Sequence, residues 1–257
     1  MSVHRVPVPV RTRAPTGKTA AYVVGDGDAL LVDPADWTDD LAAAAAARDV
    51  GHVAVTHHHP DHVGGLADAV ADLDLTVWAR AGRTDDFAAA TGVDPDRSFA
   101  AGDTIPAGSG VSVLDTPGHA PEHVAFAAPD GLVSGDLAVA EGSVVVGAPE
   151  GDMRAYVSSL RRLHARDPDR LYPGHGPVVE DPRATCRRLV DHRIARERKV
   201  EAAVAEGATT PDGILDAAYD KDVSAVRDLA RATVVAHLEK LAVEGRVRWD
   251  GATAGPP

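Results

Sequence analysis

Apolar residues recur along this chain with two different periods. Over roughly the first 180 residues short runs dominate. Ala20–Val24 and Ala29–Val32 flank the turn Gly25–Asp28, a pattern that predicts a β-hairpin closed by Asp33-Pro34. An Ala-rich stretch from Trp37 to Arg48 reads as a helix, His52–Val55 as a strand, Leu66–Val70 as a helix and Thr76–Ala79 as a strand. A polar section rich in Gly and Asp holds a short predicted helix at Asp85–Ala90. Strands follow at Val111–Leu114, Val124–Ala127 and Leu132–Ser134, the last leading into Gly135-Asp136. Met153, Tyr156, Val157, Leu160 and Leu163 lie at helical spacing within Asp152–Arg166. Arg170–Tyr172 then delivers Pro173-Gly174-His175-Gly176-Pro177. Strands alternating with helices predict an α/β fold.

After Pro177 the rhythm turns helical. Asp181–Glu206 predicts one long charged helix. Thr210 as N-cap with Pro211 at the first position opens a second, running toward Tyr219. Ser224–Val243 predicts a third, and Arg246–Trp249 alternates like a strand. Three helices and a short β-wing suggest a winged-helix module, dividing the chain into 1–180 and 181–257. No apolar run approaches the roughly 18 residues that span a bilayer, and Met1–Val10 lacks the apolar core of a signal peptide. With one cysteine, Cys186, no internal disulfide can form, so a cytoplasmic protein is expected.

The chemistry concentrates where these strands end. After His52–Val55 comes Thr56-His57-His58-His59-Pro60-Asp61-His62-Val63-Gly64-Gly65, a strand-to-helix loop of the kind that carries active sites in α/β proteins. Imidazole suits zinc, and a carboxylate adds a hard oxygen donor. Side chains alternate along an extended turn, so His57 and His59 face one position while Asp61 and His62 are free to face a second. Three further strand ends carry His119, Asp136 and His175. Two of these are the same tripeptide, Pro-Gly-His, in which glycine permits a tight turn or a positive φ before the imidazole. Alone each would be an ordinary turn residue; as a set with the cluster they complete a two-metal site of seven ligands.

The order His57-x-His59-x-Asp61-His62, Pro117-Gly118-His119, Ser134-Gly135-Asp136 and Pro173-Gly174-His175-Gly176 resembles the metallo-β-lactamase-fold hydrolase superfamily. The resemblance runs from about the first hairpin to Pro177 and implies an αββα sandwich. It implies that His57, His59 and His119 hold one metal, that Asp61, His62 and His175 hold the other, and that Asp136 bridges them. Two zinc ions, or other divalent transition metals, would share a bridging hydroxide that attacks an ester, thioester, lactone or phosphodiester. Asp61 would orient this nucleophile or shuttle a proton, and Asp136 would complete the catalytic pair. The true β-lactamases of the fold place a cysteine where Asp136 stands, so this set is more similar to the glyoxalase II, lactonase and ribonuclease branches. His192-Arg193-x-x-Arg196-Glu197 and His237-Leu238-x-x-Leu241-x-x-Glu244-Gly245 resemble the narrower lactamase-β-two-like branch, which carries a C-terminal winged helix.

Charge bears on the substrate. The formal net charge is −13, and the basic residues are nearly all Arg, with lysine only at Lys18, Lys199, Lys221 and Lys240. Residues 1–182 carry 13 basic against 27 acidic residues; residues 183–257 carry 13 against 12. A nucleic-acid module shows a basic face, and this tail is only relatively basic. Arg187, Arg188, Arg193, Arg196 and Arg198 form either such a face or a solvated one paired with Glu197 and Glu201. The expected role of the tail is to wall the cleft. The expected activity is hydrolysis of a small-molecule ester or thioester. Single-strand-specific endoribonuclease activity is the alternative, and a non-catalytic regulatory protein is disfavoured by the complete ligand set. The acidity and scarcity of lysine fit either a salt-adapted source or a GC-rich genome. Oligomeric state is left open by the sequence.

Overall fold

The computed structural model describes residues 2–128 and 130–257. Six strands form the first sheet: β1 (Val3–Pro9), β2 (Lys18–Val24), β3 (Ala29–Val32), β4 (Val50–Ala54), β5 (Thr76–Arg80) and β6 (Arg97–Phe99), in sequential order. β1–β3 are antiparallel and β3–β6 parallel. β7 (Thr104–Ile105), β8 (Val111–Asp115), β9 (Val124–Ala128), β10 (Gly131–Gly135) and β11 (Leu171–Pro173) form the second, in the order β11-β10-β9-β8-β7. The hairpin and the central strands fall where the apolar runs placed them. β1 does not show in the apolar pattern, because Pro7 and Pro9 interrupt it. It lies at the sheet edge, where a missing N–H is tolerated.

Alternation explains the layering. In β2, Ala20, Tyr22 and Val24 face the second sheet, while Ala21 and Val23 face the helices outside. β3 divides the same way, Leu30 and Val32 inward, Ala29 and Leu31 outward. Strands buried on both faces read as unbroken apolar runs. Helices α1 (Asp39–Ala46), α2 (Pro60–Val63), α3 (Leu66–Asp72) and α4 (Thr84–Thr91) lie in the stretches that connect the strands of the first sheet. Leu41, Leu66 and Phe87 bury their side chains against its outer face. Helix α5 (Met153–Arg166) covers the second sheet with Met153, Tyr156, Leu160 and Leu163, beside Cys186 and Leu189 of α6 (Pro182–Ala205). The result is a helix–sheet–sheet–helix sandwich, as the resemblance implied.

β8 and β10 both run antiparallel to β9, and β11 runs parallel to β10. Their three C-terminal ends therefore meet along one edge. Hydrogen bonds sew that edge to the first sheet: Val124 N–H donates to Thr56 O at 2.9 Å, Ala20 N–H to Gly174 O at 2.8 Å and the Tyr22 hydroxyl to Pro173 O at 2.6 Å.

The C-terminal part comprises the second half of α6, α7 (Pro211–Ala218), α8 (Arg227–Val243) and a hairpin of β12 (Arg248–Trp249) and β13 (Ala254–Gly255). The third predicted helix begins three residues late, because Ser224–Val226 forms a separate 3₁₀ turn. Val200, Ile214, Leu215, Val234, Leu238 and Leu241 make a core of their own. Above it Glu197, only 5% exposed, receives Lys240 Nζ and Arg246 Nη1 at 2.6 Å each. Burial pushes its pKa up, but the nearby His237 ring and the close contacts from Lys240 and Arg246 outweigh that and hold it at about 2. A depressed carboxylate contributes stability above its unfolded pKa and loses it as pH falls toward the folded one. Glu197→Gln should therefore cost about 2 kcal/mol at neutral pH. In denaturant titrations the difference from wild type should shrink between pH about 4.5 and about 2, and a difference independent of pH would refute the ion-pair account.

Candidate metal centre

Each cluster residue sits just beyond a strand. β4 ends at Ala54 and its continuation presents His57; the chain then turns at His59, the N-cap of α2, with Pro60 at the first helical position. Asp61 and His62 ride on that single turn. His119 follows β8, Asp136 follows β10, and His175 lies two residues past β11. The two Pro-Gly-His glycines serve different ends. Gly118 has φ of +133°, where a side chain is strained, and a Cβ there would meet the Tyr156 backbone at 2.2 Å. Gly174 has no such φ; its Cβ would stand 2.5 Å from His62 Cε1 and 2.6 Å from Asp136 Oδ1. Of the tight turn or positive φ that glycine permits, the positive φ occurs at the first, and the second is glycine so that two ligands can approach.

All seven predicted residues come together. Donor atoms of His57, His59 and His119 lie within 4.8 Å of one another, as do those of Asp61, His62 and His175, and those of His57, His62 and Asp136. His59 Nδ1 is 3.0 Å from both His57 Nε2 and His119 Nε2. Asp136 stands centrally, with Oδ1 3.6 Å from His62 Nε2 and Oδ2 3.6 Å from His119 Nε2 and 3.5 Å from His175 Nε2. Asp61 Oδ2 is 3.5 Å from His175 Nε2. His57, His62, His119 and Asp136 are buried, whereas His59, Asp61 and His175 border solvent.

The opposite nitrogen of each ring has a fixed acceptor. His62 Nδ1–H donates to Asp33 Oδ2 at 2.9 Å, His119 Nδ1–H to Val145 O at 2.7 Å, and His175 Nδ1–H to Lys18 O at 2.9 Å. His59 Nε2–H donates to Glu150 Oε2 at 3.1 Å. The Thr56 hydroxyl gives its proton to Asp33 Oδ2 at 2.7 Å, so it accepts from His57 Nδ1–H at 3.0 Å. Five tautomers are thereby set with their remaining nitrogens turned inward. Unprotonated nitrogens 3.0 Å apart repel, and His62 Nε2 and Asp136 Oδ1 are buried with no hydrogen-bond partner in the protein. A cation at the centre resolves both conflicts, so the donor set fits a metal pair.

Charge agrees with that. Burial would raise the pKa of Asp136, but the imidazoles of His62, His175 and His119 hold it well below the carboxylate range. Burial would lower that of His62, yet Asp136 and Asp33 raise it to about 9, so positive charge is favoured at its inward nitrogen. Burial and the neighbouring rings keep His57 low and neutral. His123, which the sequence reading passed over, is pushed down to about 3 by burial and by His119. Its neutral Nε2 accepts the Asp136 N–H at 3.0 Å while Nδ1–H donates to Thr116 at 2.8 Å. Asp33, Thr56, His123 and Glu150 all escaped that reading. The one local sign of Asp33 was Asp-Pro after an apolar strand, and the residue is in fact buried with φ of +53°, a conformation Asp tolerates.

A cleft of about 830 Å³ opens over His59, Asp61, His119, Asp136 and His175. Its walls are Ala14 and Pro15 before β2, the segment Val139–Glu150, and Leu229 and Ala232 of α8. The Ala148 N–H donates to Ala232 O at 3.1 Å, and Arg13 forks onto both Asp228 oxygens at 2.9 and 3.1 Å. Of the α6 arginines that offered either a basic face or a solvated one, three are taken up by the protein. Arg188 and Arg193 turn to backbone carbonyls of 139–144, and Arg196 to Ala218 O and the Tyr219 ring. Glu197 and Glu201 pair with Arg246 instead.

The family model for the metallo-beta-lactamase superfamily matches residues 14–175. The chain belongs to that superfamily. A second model, the beta-lactamase associated winged helix domain, matches residues 210–254. Among curated relatives, the beta-lactamase-like protein 2 homolog of Drosophila melanogaster is 29% identical, over 90% of this chain and 84% of its own length. Thioesterase pkgB of Emericella nidulans is 31% identical over 73% of this chain, which spans about half of it (54%). A metallo-beta-lactamase family protein from Thermus thermophilus superposes with a TM-score of 0.80 at 24% identity, covering 99% of this chain and 98% of that one. TTHA1623, solved in a di-iron-bound form, gives 0.55 at 32% identity over 68% of this chain and 94% of its own. The first match accounts for the sandwich and the second for the helices and hairpin of the tail. No helix among the described residues is long and apolar enough to cross a membrane.

Asp33→Asn tests the outer hydrogen bonds. Asp33 accepts from Thr56 N–H, the Thr56 hydroxyl and His62 with two oxygens, and an amide retains one. Metal affinity by chelator competition should fall about 10- to 100-fold with circular dichroism unchanged; unchanged affinity would show that Asp33 does not orient the ligands.

Proposed function

We propose that this chain is a binuclear metallohydrolase that cleaves a small-molecule ester or thioester, with His57, His59 and His119 around one ion, Asp61, His62 and His175 around the other, and Asp136 between them. The observation that carries the reading is the convergence of seven donors, five with tautomers fixed from outside, on the floor of a cleft with mostly apolar walls. When bound, two divalent ions polarise a carbonyl oxygen and lower the pKa of water toward about 7. The imidazole and carboxylate donors favour zinc, and the di-iron relative makes iron the competitor to exclude by measurement. Asp61, half-buried at the cleft floor, is positioned for its carboxylate to hold a proton and pass it toward the leaving group. Ala14, Pro15, Val145 and Leu229 exclude water around an apolar acyl group. The thioesterase activity named for the pkgB relative agrees with this substrate class. We keep the division between 1–180 and 181–257, with the first half of α6 as the shared element, and a cytoplasmic location goes with a buried, unpaired Cys186.

RNA is the second substrate to test. The cleft walls offer Arg11 and Arg13, the latter occupied by Asp228, alongside Glu141 and Glu150, whereas each phosphate contact needs a free cation. The formal charge of −13 repels a polyanion, more strongly at low salt. Elemental analysis should find two zinc ions per chain. An acyl-thioester or ester panel at low salt should be hydrolysed, and Asp136→Ala should abolish turnover while leaving the fold in place. RNA cleavage should be weak there and rise with salt, in protein shown to stay folded by circular dichroism. Metal-free protein of full activity, or efficient RNA cleavage at low salt that declines as salt is added, would overturn the assignment.

A further inference from the structure

The His192-Arg193-x-x-Arg196-Glu197 motif is not used by the hydrolytic reading, and Arg193 is its most unusual member. The residue is 4% exposed, and its Nε has no hydrogen-bond partner in the protein. Cationic side chains are rarely buried so deeply without a carboxylate against them. Arg193 sits instead over the ring of Tyr156, 5.2 Å from its centroid, and donates from Nη2 to the carbonyl of Val144. The next carbonyl along, that of Val145, accepts the proton of His119 Nδ1 at 2.7 Å. Two neighbouring carbonyls thus face opposite partners, a buried cation and a cluster imidazole. Val144 and Val145 belong to no helix or strand, so no ladder holds them in register. Upstream, Arg188 takes Val139 O, Ala140 O and Gly142 O at 2.8, 3.0 and 2.7 Å.

We infer that Arg193 is a positioning residue for the metal centre: from α6 it pins the Val144–Val145 backbone so that the Val145 carbonyl sets the tautomer and direction of His119. The other rings have acceptors of different kinds. Asp33 and Thr56 are braced within the two-sheet core, and Lys18 O belongs to β2, whereas Val145 O, like the Glu150 carboxylate behind His59, depends on the irregular 139–150 segment. Without the guanidinium, Val144 O loses a charge-assisted partner in a buried setting and the segment is free to shift. A carbonyl that moves away leaves His119 free to rotate or to change tautomer, which removes one of three donors from the first ion position.

This inference rests on the two-metal reading, and the test separates the two. Wild type, Arg193→Met and Arg196→Met are loaded with Co(II) and titrated against a chelator, with visible absorption reporting the coordination of each ion. Arg196 anchors Ala218 O at the end of α7 and does not touch the loop, so it controls for general loss of stability. Arg193→Met should weaken one of the two ions about 10- to 100-fold and change its ligand-field spectrum while the second is held as before. Arg196→Met should lower the melting temperature and leave both affinities within twofold. Should Arg193→Met not fold, Arg193→Lys is read by the same titration. It keeps the charge but not the planar fork, and should show the same selective loss. Wild type that binds no second ion sinks the two-metal reading itself. Wild type that binds two, with Arg193 variants of unchanged affinity or with an equal loss in Arg196→Met, overturns the role of Arg193 alone.

Discussion

Five imidazole nitrogens and two carboxylates cannot be held against one another by apolar burial, since nothing in a hydrophobic contact tells a ring which way to face. The His59 nitrogen lies 3.0 Å from those of His57 and His119 with their lone pairs converging, and each ring would rotate away if its far side were free. What prevents this is an acceptor behind every ring: Thr56 and Asp33, Val145, Glu150 and Lys18. The rest of the architecture can be understood as the means of placing those acceptors. His123 extends the principle to Asp136, whose backbone N–H it fixes through a neutral ring.

That placement requires two sheets to meet in register at one edge. The antiparallel order of β8, β9 and β10, followed by the parallel return of β11, brings three strand ends of the second sheet together beside the end of β4. Backbone bonds from Val124 to Thr56 and from Ala20 to Gly174 hold the sheets there, and the latter hydrogen bond lies next to His175. Slippage of one residue in either sheet would turn the inward side chains outward, so core packing and ligand geometry are under the same constraint. Gly174 shows how tight the fit is, since even a methyl group would meet His62 and Asp136.

The C-terminal winged helix contributes to the same end from outside. Its α8 offers Leu229 and Ala232 to the cleft and bonds to the Val139–Glu150 segment, while Arg227 and Arg231 are taken up by Asp212 and Asp216. In a nucleic-acid reader the third helix keeps its cations free for phosphates. Here Arg227 and Arg231 are paired with carboxylates, and Leu229 and Ala232 of the same helix line the cleft.

The central strands, the hairpin, the long helices and the cluster of seven candidate donors were legible in the sequence, whereas β6 and β7 lie in the polar section read without strands. Each legible feature is a local property: apolar residues at period two or 3.6, and ligand-type side chains directly after a strand. β1 was hidden by Pro7 and Pro9, whose cost depends on being at an edge, and edges exist only once a sheet has formed. The α6 arginines looked like a surface because spacing alone does not show that Val139–Val144 would lie over them. The orienting groups were hidden for the same reason. Asp33 lies 29 residues from His62, Val145 26 from His119, Glu150 91 from His59 and Lys18 157 from His175. The sequence by itself determined which atoms are available to ligate and that they cluster at strand ends. Which nitrogen of each ring faces the centre was decided only by the tertiary structure: four acceptors arrive from distant parts of the chain, and Thr56, the neighbour of His57, accepts only because Asp33, 23 residues away, takes its proton.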